Sequence, residues 1–207
     1  MILFRESLPN LSANIRFLHA IPDGPSIDVY ANGKLIYSNL SFGNVTNYIG
    51  ISPNKYDIQL YKAGTYDNPI ITESIDVLPG ETETVNITYE NKEISFFTID
   101  DSEPINNPLL AYIRFINLSP TAPLLSLSLP EGIVLFDQAE YLETNDYYPI
   151  SPGIYNFVVS ATDSNFEKYI SNVNLKAKVF LTIYIIGLFN GKPQIGYILL
   201  KDGKSSS

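Results

Sequence analysis

The sequence predicts an all-β protein made of two tandem immunoglobulin-like β-sandwich domains, and three observations carry that prediction. Strand formers dominate: the 207 residues include 15 Tyr and 11 Phe, with 45 % hydrophobic but only 17 % charged side chains. That balance fits half-buried pleated strands better than helices built on Glu, Lys, Arg, Ala and Leu. Turn signals recur about every 8–12 residues, the spacing of a sandwich. The chain also repeats itself at an offset of roughly 98 residues.

The elements follow in chain order. Ala13–His19 alternates, placing Ile15, Phe17 and His19 on one strand face, expected to be the core face, and Arg16 with Leu18 on the other. Ile27–Ala31 and Lys34–Ser38 flank Asn32-Gly33, a strong hairpin signal. In Lys55–Tyr61, Tyr56, Ile58 and Leu60 share a face, with Asp57, Gln59 and Tyr61 opposite. Pro79-Gly80 separates Ile70–Leu78 from Thr82–Tyr89, where Val85, Ile87 and Tyr89 share a face. In the second copy Tyr155, Phe157 and Val159 alternate with Asn156, Val158 and Ser160, and Val179–Phe189 ends at the turn Asn190-Gly191. That apolar run is too short to cross a bilayer, which takes about 20 residues, and reads as a buried strand. No stretch has the periodicity of an amphipathic helix.

The repeat is visible in the residues themselves. Ala13-Asn14-Ile15-Arg16-Phe17-Leu18-His19 returns as Ala111-Tyr112-Ile113-Arg114-Phe115-Ile116-Asn117, and Pro22 and Pro25 match Pro120 and Pro123. Ile51-Ser52-Pro53 returns as Ile150-Ser151-Pro152. The acidic, proline-punctuated stretch 100–108 reads as a linker. The expected domains are therefore 1–103, with an N-terminal extension over 1–12, and 104–207, with a disordered tail over 201–207.

His19-Ala20-Ile21-Pro22-Asp23-Gly24-Pro25-Ser26-Ile27-Asp28-Val29-Tyr30-Ala31-Asn32-Gly33 resembles the opening of a bacterial surface family of domains of unknown function, DUF4397-like. A Pro-Gly-x-Tyr turn of that family is approximated by Pro53-Asn54-Lys55-Tyr56 and by Pro152-Gly153-Ile154-Tyr155. The resemblance implies tandem extracytoplasmic sandwiches without an established enzymatic activity. The second copy departs from the motif, with Asn117, Thr121 and Ser126 where the first has His19, Asp23 and Asp28.

Composition excludes several chemistries. With no Cys and a single His, disulfides, thiolate nucleophiles and zinc sites of Cys or several His are ruled out. A net charge of −9 argues against nucleic acid as a partner. His19, Asp23, Asp28 and Arg16 form the candidate polar cluster, read as structural before functional. His19 is expected to satisfy buried backbone groups, and Asp23 to close the Pro22–Pro25 turn through its side chain. Asp28 is placed to pair with Arg16 or His19. Arg16 and Arg114 are expected to snorkel and pair across their sheets. Asp100, Asp101 and Glu103 offer hard oxygen ligands for Ca²⁺ between domains, without EF-hand spacing. Ile2, Leu3 and Phe4 form a candidate strand-donating segment for a neighbour's sheet.

The expected function is noncatalytic: a coat, spacer or adhesion component of a cell or spore surface, or of a fibre. The alternative is a glycan- or protein-binding module of the envelope, with exposed tyrosines as contacts. Protein partners or self-association are expected, with a glycan as a further partner and neither cofactor, metal nor membrane insertion. The expected location is extracellular or on the cell or spore surface, although Met1–Asn10 lacks the basic and long apolar regions of an export leader.

Overall fold

In a computed structural model, residues 12–90, 92–103 and 107–203 are described. Those residues contain strands and no helix. The first half holds β1 (Ala13–His19), β2 (Ile27–Ala31), β3 (Lys34–Leu40), β4 (Ile49–Ile51), β5 (Asn54–Lys62), β6 (Ile71–Val77), β7 (Thr82–Glu90) and β8 (Glu93–Asp100). The second holds β9 (Ala111–Asn117), β10 (Leu125–Ser128), β11 (Val134–Ala139), β12 (Tyr148–Ile150), β13 (Gly153–Ala161), β14 (Glu167–Leu175), β15 (Phe180–Ile186) and β16 (Gly196–Lys201).

Each half is a β-sandwich of two four-stranded sheets, and the strand order repeats. Sheets β4-β1-β7-β8 and β3-β2-β5-β6 form the first; β12-β9-β15-β16 and β11-β10-β13-β14 form the second. In both halves the first strand runs parallel to the seventh, in the same register: Arg16 lies beside Thr84, and Arg114 beside Thr182. Alternation fills each core. Ile15, Phe17, Val29, Ile58, Leu60, Val85 and Ile87 meet between the first two sheets, and Ile113, Phe115, Leu127, Phe157, Val159 and Ile183 between the second two. The Asn32-Gly33 turn closes the β2–β3 hairpin with φ of 49° and 74°, the left-handed pair that a tight two-residue hairpin requires.

A third apolar cluster lies between the halves. Leu18, Ala20 and Ile99 from the sheet of β1 pack on Ile116, Leu118, Tyr184 and Ile186 from the sheet of β9. These residues occupy the outer faces of the two sheets, so the molecule is a stack of four layers whose inner two sheets are covered on both sides. Burial follows: every residue of β9 and β15 is buried. A strand enclosed on both faces reads as a continuous apolar run, which is why Val179–Phe189 shows no alternation.

Over residues 201–203 the tail expectation is corrected by this packing, and residues 204–207 lie outside the described residues. Lys201 closes β16, and Asp202 and Gly203 are buried against the first half, with a Cβ on Gly203 meeting Glu103 at once. Ile2, Leu3 and Phe4, and the boundary near Pro104, lie outside the described residues.

Candidate functional site

The expected cluster of His19, Asp23, Asp28 and Arg16 is divided between two places. Strand alternation decides this: His19 follows Phe17 into the core side of β1, and Arg16 points to the opposite face.

His19 is fully buried. The Ile21 N–H donates to its Nδ1 at 3.3 Å, so Nε2 carries the proton and donates to the Pro25 carbonyl at 3.0 Å. The imidazole thus staples the Pro22–Pro25 turn, and burial lowers its pKa against the pull of the Pro25 hydrogen bond. Asp23 supplies a left-handed backbone, φ 57°, so the closure expected of its side chain comes from His19 instead. Gly24 lies against the ring, where a Cβ would stand 3.1 Å from His19 Cε1 and 3.0 Å from Ile21 Cγ2. At the matching place Asn117 Oδ1 accepts the Ser119 N–H at 3.0 Å, the same link two residues on. At the equivalent place in the repeat Ala122 stands where the first half has Gly24.

Asp28 pairs with neither Arg16 nor His19, because the β2–β3 bulge claims it. Its Oδ1 accepts the Asn39 N–H at 2.7 Å and its Oδ2 the Gly64 N–H at 2.8 Å, with Asn39 held at φ 57°. Ser126 repeats the role, its Oγ accepting the Gln138 N–H at 2.9 Å, with Gln138 at φ 52°. Both residues support a bulge in the neighbouring edge strand.

Arg16 and Arg114 overturn the expectation of snorkelling side chains. Both are 4 % exposed and meet between the two sandwiches. Arg16 Nη2 donates to Asp202 Oδ1 at 2.5 Å and to Asp101 Oδ2 at 3.3 Å. Arg114 Nη2 donates to Asp101 Oδ1 and lies 3.7 Å from Asp202 Oδ2. Each arginine therefore reaches across to the other half's aspartate, forming a reciprocal lattice of two cations and two carboxylates.

The supporting groups are paired as well. Arg16 Nε donates to Thr84 Oγ1 at 2.7 Å and Arg114 Nε to Thr182 Oγ1 at 2.9 Å, and each threonine hydroxyl donates onward to Asp101 or Asp202. Tyr48 OH donates to Asp101 at 2.7 Å and Tyr147 OH to Asp202 at 2.9 Å. The Arg16 guanidinium stacks over the Tyr48 ring and that of Arg114 over the Tyr147 ring, each 4.4 Å from the centroid. Arg16 Nη1 donates to the Lys201 carbonyl at 2.8 Å and Arg114 Nη1 to the Asp100 carbonyl at 2.7 Å.

Burial opposes both guanidinium charges, but the acidic surroundings more than offset it and their pKa values rise. Burial, then the carboxylate of Asp101, pushes Asp202 upward against the pull of Arg114 and Arg16. Burial and the carboxylates raise Tyr48 and Tyr147, which stay protonated as donors. The arrangement fastens sheets together: each carboxylate receives guanidinium, threonine and tyrosine donors, leaving Asp101 enclosed rather than open to a cation. Among the described residues no group of three His, Cys, Asp or Glu is placed to hold a metal, and no helix is long and apolar enough to cross a membrane.

Residue-by-residue reading did not identify Tyr48, Tyr147, Thr84, Thr182 or the pairing of Asp101 with Asp202. The signal was the repeat itself, since these groups recur near the offset that relates Arg16 to Arg114.

On the outer face of the first sandwich, Tyr30, Tyr61 and Tyr66 gather with ring centroids 4.6–5.1 Å apart, and Tyr66 is 53 % exposed.

Comparison with known proteins adds a family and one distant likeness. Residues 13–128 match the family described as "Domain of unknown function (DUF4397)". No curated protein matches the chain. Among solved structures it is similar to a "putative cell adhesion protein" from Bacteroides ovatus ATCC 8483, with 12 % identity, a TM-score of 0.31, and 94 % of this chain and 99 % of that chain covered.

Proposed function

Because the chain belongs to the DUF4397 family, a domain of unknown function, we propose that it is a noncatalytic structural module of a bacterial cell or spore surface, a rigid spacer, coat or adhesion component. The observation that carries this reading is the reciprocal lattice of Arg16, Arg114, Asp101 and Asp202. A buried charge network adds little net stability over an apolar contact, but it penalises every wrong alignment of the two sandwiches. Such a joint holds two domains as one body, which suits a part that transmits force or sets distance. The lone histidine supports the same reading, since both its ring nitrogens are engaged in a turn.

Immunogold microscopy of the native protein, together with small-angle scattering of the purified chain, tests this. Label at the cell or spore surface and a scattering curve matching one rigid body are expected. Label confined to the cytosol of vegetative cells would remove the reading.

A second reading, a glycan- or protein-binding module of the envelope, draws on the Tyr30, Tyr61 and Tyr66 face. A glycan array comparing the chain with Tyr66→Ala separates the two. Binding lost in the variant favours the module, and an empty array favours the spacer.

A further inference from the structure

Each of the four sheets ends in two edge strands, and an edge offers unpaired N–H and C=O groups to any strand that can lie beside it. Among the described residues all but one of these edges are blunted. β4 and β12 have three residues each, and β12 contains Pro149. β3, β11 and β14 are bulged, with Asn39, Gln138 and Asn172 in left-handed backbone at the irregularities. β6 carries Glu73 and Asp76, and β8 carries Glu93 and Asp100.

β16 is the exception. It pairs with β15 in one unbroken register, has neither acid nor proline, and is apolar from Tyr197 to Leu200. Its free backbone groups follow from the ladder. Asp202 N–H donates to the Phe180 carbonyl at 3.0 Å. The alternation of an antiparallel pair therefore turns the amides of Leu200 and Ile198 toward β15, and those of Lys201, Leu199 and Tyr197 away from it. The Lys201 carbonyl fixes the direction independently, since it accepts Arg16 Nη1 from outside the sheet. Among the described residues no other hydrogen bond reaches that side of Tyr197, Leu199 or Lys201. The side chains are only partly covered. Ile198 and Leu200 pack at the rim of the cluster between the sandwiches, Leu199 at the rim of the second core, and Tyr197 is 38 % exposed.

We propose that β16 pairs with β16 of a second copy of this chain, antiparallel about a two-fold axis at Leu199. The strand itself selects this occupant and this register. Only a centre at Leu199 brings all three outward residues into bonded pairs: Leu199 with Leu199 of the second copy, and Tyr197 with Lys201 of the second copy. The same register sets Ile198 beside Leu200 of the second copy. Apolar groups thus meet on both faces, and each Lys201 ends beside an aromatic ring rather than another cation. The sheets β12-β9-β15-β16 of the two copies join into one continuous sheet. Because the same strand serves both copies, the assembly closes as a dimer and does not grow into a fibre through this edge. A six-residue edge falls below the about 1,200 Å² of a standard interface, so the dimer exchanges with monomer at micromolar concentrations. The pairing goes beyond the structural reading above and does not depend on it.

Sedimentation velocity of the full chain, from micromolar to millimolar concentration, tests the proposal. A reversible monomer–dimer equilibrium is expected. Leu199→Lys and Leu199→Glu each set like charges against one another at the two-fold axis, and each is expected to be monomeric. Mixing the two is expected to restore the dimer, because only then do opposite charges meet. Tyr197→Pro removes an outward amide at an exposed position without taking a bond from β15. It is expected to keep the parent's circular dichroism and to weaken association at least about 10-fold, the scale of the hydrogen bonds lost in both copies. A parent chain monomeric throughout, growth beyond a dimer, dimers surviving in both Leu199 variants, or a mixture that stays monomeric would overturn the pairing.

Discussion

Arg16 Nη2 and Asp202 Oδ1 lie 2.5 Å apart although 186 residues separate them in the chain. The contact joins the first strand of the first sandwich to the residue that follows the last strand of the second. Its counterpart, Arg114 with Asp101, spans only the short connection between the halves. One aspartate is thus near its arginine in sequence and the other almost a whole chain away, yet the two pairs form one lattice.

Asp202→Asn leaves two buried guanidiniums facing a single carboxylate. Breaking a buried pair in this way costs about 3–5 kcal/mol. Urea unfolding is expected to show a loss of that size, with Asp101→Asn similar. A change below about 1 kcal/mol in both, the range of an exposed ion pair, would show that the lattice is solvated.

His19 and Gly24 are coupled by contact. Gly24→Ala alone is expected to destabilise by about 1–3 kcal/mol, because its new methyl group meets the imidazole. In a His19→Asn background, which reproduces the Asn117–Ala122 pairing, the same change is expected to cost less than half as much. Strictly additive losses in the four-protein cycle would remove the coupling.

His19 also sets a pH dependence. Burial, opposed by the Pro25 hydrogen bond, depresses its folded-state pKa below the unfolded value of 6.5. Between the two values the unfolded chain binds the proton and the folded chain does not, so stability falls as pH drops below 6.5. Above 6.5 the residue is neutral in both states and contributes no slope. Subtracting His19→Asn from the parent chain over pH 5–8 should isolate this decline on the acid side only. A difference curve flat across that range contradicts the assignment.

Glu83 acts in the opposite sense. Burial, then the charges of Glu81, Asp100 and Asp101, push its carboxyl up to about 7 from 4.5. It lies directly opposite Asp100 in the β7–β8 pair, where like charges repel. The folded chain holds this proton longer than the unfolded one, so the contribution is full below pH 4.5 and is lost as pH rises through 7. Glu83→Gln is expected to stabilise the protein at pH 8 relative to the parent, with the advantage shrinking toward pH 4. Its size is reduced because the group is half-exposed. Equal effects of the variant at pH 4 and pH 8 would exclude the shift.

Much of the architecture was legible before any coordinates. The Asn32-Gly33 hairpin, the inward set Ile58 and Leu60, and the core placement of His19 follow from period-two alternation and turn chemistry, both local properties. The structural reading of His19 was legible too, because Asn117 keeps the acceptor that the residue two positions on requires. Asp28 was misassigned for a physical reason. A carboxylate at a bulge finds unpaired backbone N–H groups nearer than any cation, and bulges leave no composition signal.

Arg16 and Asp202 show where sequence reading stops and folding takes over. Alternation by itself determined that Arg16 leaves the core side of β1, and composition determined that the chain folds as paired sheets. What covers that outward face was decided only by tertiary structure. A polar residue facing water and one facing a matching polar surface occupy the same position in a two-residue period, so the pattern cannot separate them. The distinction arises when two similar sheets meet outer face to outer face. Each then shields the other from solvent, and exposed arginines become the buried fasteners of a four-layer body.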